Sequence, residues 1–136
     1  MTAVLRDATP DDIDAVVSFW LRHAEPTSTD SPEAVAALLA FDPGALIVAE
    51  SDGDIVGSVV AGWDGWRGSI YRLAVAPASR RAGLATALLQ AAEARLAGLG
   101  AQRVHAIVVG SNAPAVAFWD ASGWGLQEGQ RRYAKG

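Results

Sequence analysis

The segment most suggestive of chemistry covers residues 73–86, where a predicted strand leads through a short turn into a predicted helix. Arg80 and Arg81 stand at the entry to that helix. The first amides of a helix lack intrahelical partners and carry the positive end of the helix dipole. Because Gly83 and Ala85 have little or no side chain, a pyrophosphate could lie directly on this backbone, with the arginines as further donors. A plain strand-to-helix turn with solvated arginines explains the same residues.

The pattern of apolar residues predicts the elements that position this turn. Predicted helices begin at Pro10, Pro32, about Arg81 and Asn112, where capping residues or prolines stand. Predicted strands cover residues 2–7, 45–50, 54–63, 69–76, 102–109 and 124–135. Two turns join strands directly, at Ser51-Asp52-Gly53 and at Asp64-Gly65, where we expect a type I′ turn flanked by tryptophans. The order β-α-α-β-β-β-α-β-α-β predicts a mixed α/β (α+β) fold, with residues 1–136 as one domain.

Composition excludes several classes of site. The 136 residues contain no cysteine and two histidines, which excludes disulfides, thiol nucleophiles and Cys-zinc centres and argues against any metal site. No apolar run approaches the ~18 residues of a membrane span. The N-terminus is acidic, unlike a signal peptide, so we expect a cytoplasmic protein without membrane association. A pI near 5.0 argues against nucleic-acid binding.

Charge is distributed unevenly along the chain. Residues 1–54 contain 11 acidic and two basic side chains, a sum of -9, whereas residues 55–136 contain four acidic and nine basic ones, a sum of +5. An acidic half and a basic half together suit a protein that brings a cation to an anion. Two ordinary solvated surfaces explain the same asymmetry.

With these motifs in order, the sequence resembles the GNAT family, the GCN5-related N-acetyltransferases. In that family the acetyl-CoA turn follows the pattern Arg/Gln-x-x-Gly-x-Gly/Ala, which Arg80, Gly83 and Ala85 fit. Two further family patterns are present: Leu-x-Val-x-Pro at residues 73–77, and a helix-opening Asn with Ala-x-x-Phe-Tyr-x-x-x-Gly-Phe, seen as Asn112 and residues 115–124. The hairpin at residues 62–68 is similar to one in a small single-domain bacterial branch of the family.

The resemblance implies a mostly antiparallel central sheet of about six to seven strands flanked by about four helices, with acetyl-CoA as acyl donor and no metal. The backbone of residues 73–75 would pair with the pantetheine arm, with the Val75 N–H directed at the thioester carbonyl. The cofactor would enter a slot between Ala74 and the strand at residues 102–109. The residues implied in cofactor binding are Leu73, Ala74, Val75, Arg80, Arg81, Ala82, Gly83, Leu84, Ala85, Thr86, Asn112, Phe118 and Trp119.

An amine attacks a thioester only as a free base, so some group must accept its proton. Tyr71 and Asp64 are the first candidates, because Tyr71 lies near the position of a catalytic carboxylate in many relatives. The remaining candidates are Glu25, Asp30 and His105, although His105 is more simply an ordinary strand residue. Trp119 stands where the family has its general-acid Tyr, and indole cannot donate that proton. Water, or less favourably Tyr133, would have to supply it.

The resemblance thus implies an acetyl-CoA-dependent N-acetyltransferase acting on a primary amine of a small molecule or protein, by direct attack in a ternary complex. The acidic N-terminal half favours a cationic acceptor, and the protein is expected to be a monomer or a homodimer. Two alternatives stay open: a non-catalytic acyl-CoA-binding module, and a nucleotide-binding protein that uses the Arg80–Ala85 turn for another phosphate ligand.

Overall fold

The computed structural model describes residues 2–136, apart from the side chain of Arg81. Contacts divide the chain into two compact units, one ending at Ala106 and the other covering Ile107–Gly136. The first unit contains a five-stranded sheet with helices, and the second contains one helix. That the whole chain forms one domain stays a prediction.

The elements follow the predicted order as far as the last helix. The strands are β1 (Val4–Asp7), β2 (Leu46–Ser51), β3 (Asp54–Trp63), β4 (Gly68–Val75) and β5 (Val104–Ala106). The α-helices are α1 (Ile13–His23), α2 (Pro32–Phe41), α3 (Leu84–Gly98) and α4 (Ala113–Ala121). Short 3-10 helices at Pro10–Asp12 and Pro77–Ala82 precede α1 and α3. The predicted mixed α/β class is confirmed.

Sheet topology places β4 between an antiparallel and a parallel neighbour. The strands lie in the order β1-β2-β3-β4-β5, antiparallel except for the β4–β5 pair, which is joined through α3. Strands β2, β3 and β4 form a meander, and β4, α3 and β5 form a βαβ unit, in agreement with the predicted order of elements. Five strands are fewer than the six to seven expected.

The missing strand is the one predicted at residues 124–135, which is wrong for the described residues. Residues 122–136 contain no strand, and Leu126 and Tyr133 are 78% and 87% exposed. Residues 124–135 include two glycines and few apolar side chains, so they have no alternating buried face, and a strand forms stably only where it can pair and pack. Likewise, β5 covers only Val104–Ala106 of the predicted strand at residues 102–109.

Each face of the sheet packs against its own helices. On one face, α1 and α2 bury a cluster that includes Phe19, Trp20, Leu39 and Val60. On the other face α3 lies so close that a side chain at either of two glycine positions of the sheet would displace a leucine of the helix. A Cβ at Gly57 would lie 2.9 Å from Leu88 Cδ1, and one at Gly68 would lie 2.8 Å from Leu96 Cδ1. The close approach of α3 fixes where its N-terminus stands relative to the end of β4.

The two hairpin turns differ in geometry. Asp52 and Gly53 both have positive φ (53° and 82°), as a type I′ turn requires, so this predicted hairpin is confirmed. In the second hairpin Gly65 has φ of 90° and Asp64 does not have a positive φ. Trp66 lies within the turn, between Gly65 and Arg67, rather than flanking it. The type I′ prediction is therefore wrong there. The central residues of the turn are Gly65 and Trp66, and of these two only Gly65 has a positive φ.

Candidate functional site

The turn between β4 and α3 has the backbone of an anion cradle. The 3-10 helix at Pro77–Ala82 is followed by Gly83 with φ of 73°, so a right-handed residue precedes a left-handed one. Successive N–H groups converge in such a conformation and form a concave site for anions. Apart from its two chain neighbours, none of the residues whose side chains the structure describes has an atom within 4 Å of the position that a Gly83 Cβ would occupy.

Helix α3 adds its own N-terminus to this cradle. Its first backbone bond at the turn runs from the Ala87 N–H to the Gly83 carbonyl at 3.0 Å. The amides of Leu84, Ala85 and Thr86 therefore precede the intrahelical ladder and carry the positive end of the dipole. The helix begins three residues later than the predicted start at Arg81, because the 3-10 turn occupies the residues between. A pyrophosphate fits the donors that this backbone presents.

Arg80 is exposed and turns back toward β4, with its Nε donating to the Val75 carbonyl at 3.3 Å. Arg81 has its backbone in the 3-10 helix, and its side chain lies outside the described residues. This contact of Arg80 connects the turn at Pro77–Gly83 to the strand that precedes it.

The outer edge of β4 presents backbone amides. The Ala76 N–H donates to the Val56 carbonyl at 2.8 Å, so the Val75 carbonyl of the same peptide group points away from β3. The Arg72 carbonyl accepts from Ser58 Oγ at 2.8 Å on the β3 side, so the Leu73 N–H points outward in the same way. Alternation along the strand directs the Val75 N–H outward as well. Ala74 lies between them and packs on the core under α1 and α2.

Strand β5 accompanies β4 for only three residues. The last paired residues are Ile70 and Ala106, so within residues 2–106 β5 leaves the outward edge at Leu73 and Val75 without a pairing strand. An extended amide-bearing chain such as pantetheine could add to this edge as a strand would. This is the edge that the sequence predicted for the cofactor, and the assignment of individual contacts to it stays a prediction.

A bulge in β4 centres on Arg72. The register shifts by one residue between Ser58 and Val60, and Arg72 adopts φ of 53°, which is rare for a residue with a side chain. Ser58 is fully buried; its Oγ donates to the Arg72 carbonyl and accepts from Trp20 Nε1 at 2.9 Å. The bulge is therefore held by the core.

The Arg72 guanidinium fastens the loop between α1 and α2. Its Nη2 donates to the Glu25 carbonyl at 2.8 Å and to Asp30 Oδ2 at 3.1 Å, and its Cζ lies 5.2 Å from the centre of the Trp20 ring. Burial lowers the pKa of Arg72, and the acidic partners oppose that shift. Sequence reasoning missed this residue, because an arginine between Tyr71 and Leu73 has the pattern of an ordinary solvent-facing strand position.

The two leading candidates for proton acceptor have different surroundings. Tyr71 pairs with Val60 across β3–β4 and is 50% exposed. Asp64 holds the second hairpin: its Oδ1 accepts from the Trp66 N–H at 2.8 Å and from the Arg67 N–H at 2.7 Å. These backbone bonds lower the pKa of Asp64, which makes its carboxylate a weaker proton acceptor. The structure gives Asp64 a turn-forming role and leaves Tyr71 open to solvent.

The acidic half is partly neutralised by arginines. Asp30 pairs with Arg72 and also accepts from the Thr27 N–H at 3.0 Å. Arg6 donates to Asp12 at 2.8 Å, and this hydrogen bond lowers the pKa of Asp12 to about 2. Asp42 pairs with Arg95 of α3. The negative charge left to attract a cationic acceptor is therefore smaller than the sum over residues 1–54 suggests.

The second unit contains the remaining predicted cofactor residues. Asn112 caps α4 as expected, with its Oδ1 accepting from the Ala115 N–H at 3.2 Å. The Phe118 and Trp119 rings lie 5.8 Å apart edge to face, and Trp119 and Trp124 lie 4.8 Å apart. Trp119 thus packs among aromatic rings, and its place among the cofactor contacts stays a prediction.

Two absences concern the residues that the structure describes. Over residues 2–136, no three His, Asp or Glu side chains form a group that could hold a metal ion. No helix in the same range is long and apolar enough to cross a membrane.

Comparison with known proteins agrees with this fold. The sequence model of the acetyltransferase (GNAT) family matches residues 14–124. An acetyltransferase of Pectobacterium atrosepticum is 37% identical over 111 residues, 81% of this chain and 79% of the relative. An acetyltransferase of Sodalis glossinidius is 32% identical over 119 residues, 87% and 84% of the two chains. The chain belongs to the GNAT acetyltransferase family, and it is an N-acetyltransferase by that membership.

Solved structures share the fold at low identity. An aminoglycoside 6'-N-acetyltransferase from Acinetobacter haemolyticus has a TM-score of 0.79 at 18% identity, covering 98% of both chains. The Ard1 protein of Thermoplasma volcanium has a TM-score of 0.77 at 21% identity, covering 93% of this chain and 85% of its own. These likenesses concern the fold.

Proposed function

We propose that this protein transfers an acetyl group from acetyl-CoA to a primary amine of a small molecule or protein, by direct attack within a ternary complex. One observation carries the proposal. An anion cradle at Gly83 and the start of α3 directly follows a strand edge with outward amides at Leu73 and Val75. Acetyl-CoA joins a pyrophosphate to an amide-bearing arm, so it matches that sequence of donors.

Each part of the chain has a defined task in this proposal. The amides of Ala82, Gly83, Leu84, Ala85 and Thr86 hold the pyrophosphate, with Arg80 and Arg81 beside them. The edge of β4 at residues 73–75 holds the pantetheine arm, and an outward N–H polarises the thioester carbonyl. Bound acetyl-CoA supplies the activated acetyl group. Asn112, Phe118 and Trp119 are proposed as further contacts of the cofactor.

The acceptor amine is proposed to reach the thioester beside Tyr71, which is exposed on β4 two residues before the outward Leu73 amide. Backbone N–H groups directed at a carbonyl stabilise the negative charge that develops there during attack. Of the two predicted catalytic residues, Tyr71 is the better placed to contact the attacking amine, because the Asp64 carboxylate is occupied by two turn amides. The acceptor is proposed to be cationic, although ion pairs reduce the acidic surface.

The direct test is thiol release from acetyl-CoA over a panel of amines: spermidine, an aminoglycoside and a peptide with a free α-amine, with acetate as a non-amine control. Release that depends on one of the amines, with acetylated amine detected by mass spectrometry, supports the proposal. Tyr71→Phe is then expected to lower kcat by about 10-fold or more, whereas Asp64→Asn retains most of it. Binding of acetyl-CoA without thiol release on any amine would contradict catalysis and favour an acyl-CoA-binding module.

A further inference from the structure

Two side chains on neighbouring strands form a pair near the point where β4 and β5 separate. Ser69 Oγ and His105 Nε2 lie 3.1 Å apart, within hydrogen-bonding distance. The two residues are register partners in the parallel β4–β5 pair, one position before the last pair, Ile70 and Ala106. The pair therefore stands at the entrance to the unpaired part of the β4 edge.

The pair shares a sheet face with Tyr71. Ser69 lies opposite Gly62 on β3, and Tyr71 lies opposite Val60, so both project from the face that α1 and α2 cover elsewhere. A Cβ at Gly62 would lie 3.3 Å from Tyr71 Cε2, so the glycine leaves room for the phenol ring. Residues 69 and 71 are about 7 Å apart along the strand. Tyr71 and His105 are exposed, so an acceptor could reach the side chains of Ser69, Tyr71 and His105 on this face.

Catalysis requires a group that keeps the proton of the amine. A neutral hydroxyl, such as that of Tyr71 or Ser69, can pass a proton on but cannot hold an additional one. The Asp64 carboxylate accepts two backbone N–H groups, and the Asp30 carboxylate is paired with Arg72. Among the side chains that we place on this face, the His105 imidazole has a nitrogen that can take the proton and become cationic.

We propose that His105, acting through the Ser69 hydroxyl, is the proton acceptor of the acetyl transfer. The inference rests on the proposed function and adds a residue to it. The amine nitrogen forms a bond to the acetyl carbon and the carbon–sulfur bond breaks. The proton lost by nitrogen passes to Ser69 Oγ as the Ser69 proton passes to His105 Nε2. His105 returns its proton to solvent, and the departing thiolate takes one from solvent, so charge and atoms balance.

The two histidines of the chain provide a matched test. His105→Ala removes the proposed acceptor, and His23→Ala removes the other imidazole, which lies on α1 with its ring 5.1 Å from that of Phe19. With acetyl-CoA and the amine on which the wild type turns over fastest, His105→Ala is expected to lower kcat by about 100-fold. The Kd for acetyl-CoA stays unchanged. His23→Ala retains kcat.

Added imidazole distinguishes a proton acceptor from a structural side chain. Because His105 is exposed, free imidazole is expected to restore part of kcat to His105→Ala, in proportion to its concentration, and to leave the wild type unaffected. Ser69→Ala is expected to lower kcat, and Ser69→Thr, which retains the hydroxyl, to restore it. These variants provide a second measurement that does not depend on the folding of His105→Ala.

The outcomes separate this inference from the proposed function. If the wild type acetylates an amine and both His105→Ala and Ser69→Ala keep its kcat, the role of the pair is overturned. The acetyltransferase proposal is then left intact. Loss of kcat in His105→Ala without rescue by imidazole, together with full kcat in Ser69→Ala, also overturns it. A wild type that binds acetyl-CoA but acetylates no amine removes the proposed function, and this inference with it.

Discussion

The two ends of the outward β4 edge are built in different ways. The phosphate-side turn at Pro77–Thr86 uses backbone: a 3-10 helix, one left-handed glycine and the first amides of α3. The proposed acceptor side uses side chains from two strands, namely Ser69, Tyr71 and Arg72 of β4 and His105 of β5. In our proposal the backbone donors hold the pyrophosphate and the pantetheine arm of one cofactor, whereas the side chains select the acceptor. The difference explains how one cofactor site can serve acceptor sites that vary.

Because the turn at Pro77–Thr86 is built from backbone donors, a negative charge placed there is expected to abolish cofactor binding and to leave the rest of the fold intact. Gly83→Glu puts a carboxylate beside the expected pyrophosphate, and like charges about 4 Å apart repel by several kcal/mol near a protein surface. We expect the Kd for acetyl-CoA to rise by about 100-fold or more, measured by calorimetry on the folded variant.

Gly83→Gln is the matched control. It has the same side-chain volume and suffers the same strain at φ of 73°, but it carries no charge. We expect it to weaken binding about 10-fold less than Gly83→Glu does. Wild-type affinity in a folded Gly83→Glu variant would break the assignment of the turn to a phosphate group.

Substitutions of Arg72 on the proposed acceptor side are expected to change the free energy of unfolding rather than the affinity for acetyl-CoA. Arg72→Ala removes the bonds to Glu25 and Asp30 and leaves the largely buried Asp30 without its cation, at a cost of about 3 kcal/mol in the free energy of unfolding. Arg72→Gly loses the same bonds but adopts φ of 53° without strain. It should therefore be about 1 kcal/mol more stable than Arg72→Ala in urea unfolding.

Both Arg72 variants should bind acetyl-CoA as the wild type does, since the turn at Gly83 is untouched. A glycine variant no more stable than the alanine variant would show that the left-handed backbone at Arg72 carries no strain. A large loss of acetyl-CoA affinity in either variant would show that the two ends of the β4 edge are not independent.

The same contrast decides how much could be predicted from the sequence. Local patterns are sufficient to predict the strand-to-helix turn at Pro77–Gly83, the Asn112 cap and the order of elements up to α4, because Gly, Pro and capping residues determine backbone conformation near themselves. The bulge at Arg72 depends on the buried hydroxyl of Ser58, 14 residues away, which no local pattern indicates. The family resemblance supplied the cofactor, which the turn alone left open between phosphate ligands.

The pairing of Ser69 with His105 depends on register, which sequence does not give for a parallel strand joined through α3. The sequence therefore leaves His105 among the remaining candidates, with an ordinary strand residue as the simpler interpretation. The strand predicted at residues 124–135 is wrong for a different reason. A weak local pattern there predicts a strand, although these residues bury no face against the rest of the chain. Turn chemistry can be predicted from neighbours in sequence, whereas side-chain constellations require the fold.

If the β4–α3 turn holds acetyl-CoA, this ligand must stabilise the folded protein. Thermal unfolding with and without acetyl-CoA measures that effect, with ATP and NAD as controls. Ligand at 100 times its Kd adds about 2.7 kcal/mol to the free energy of unfolding. For a domain of this size that raises Tm by several degrees. We predict this shift with acetyl-CoA and none with ATP or NAD. No shift in Tm with acetyl-CoA, or an equal shift with all three ligands, would show that the β4–α3 turn is not a site for acetyl-CoA.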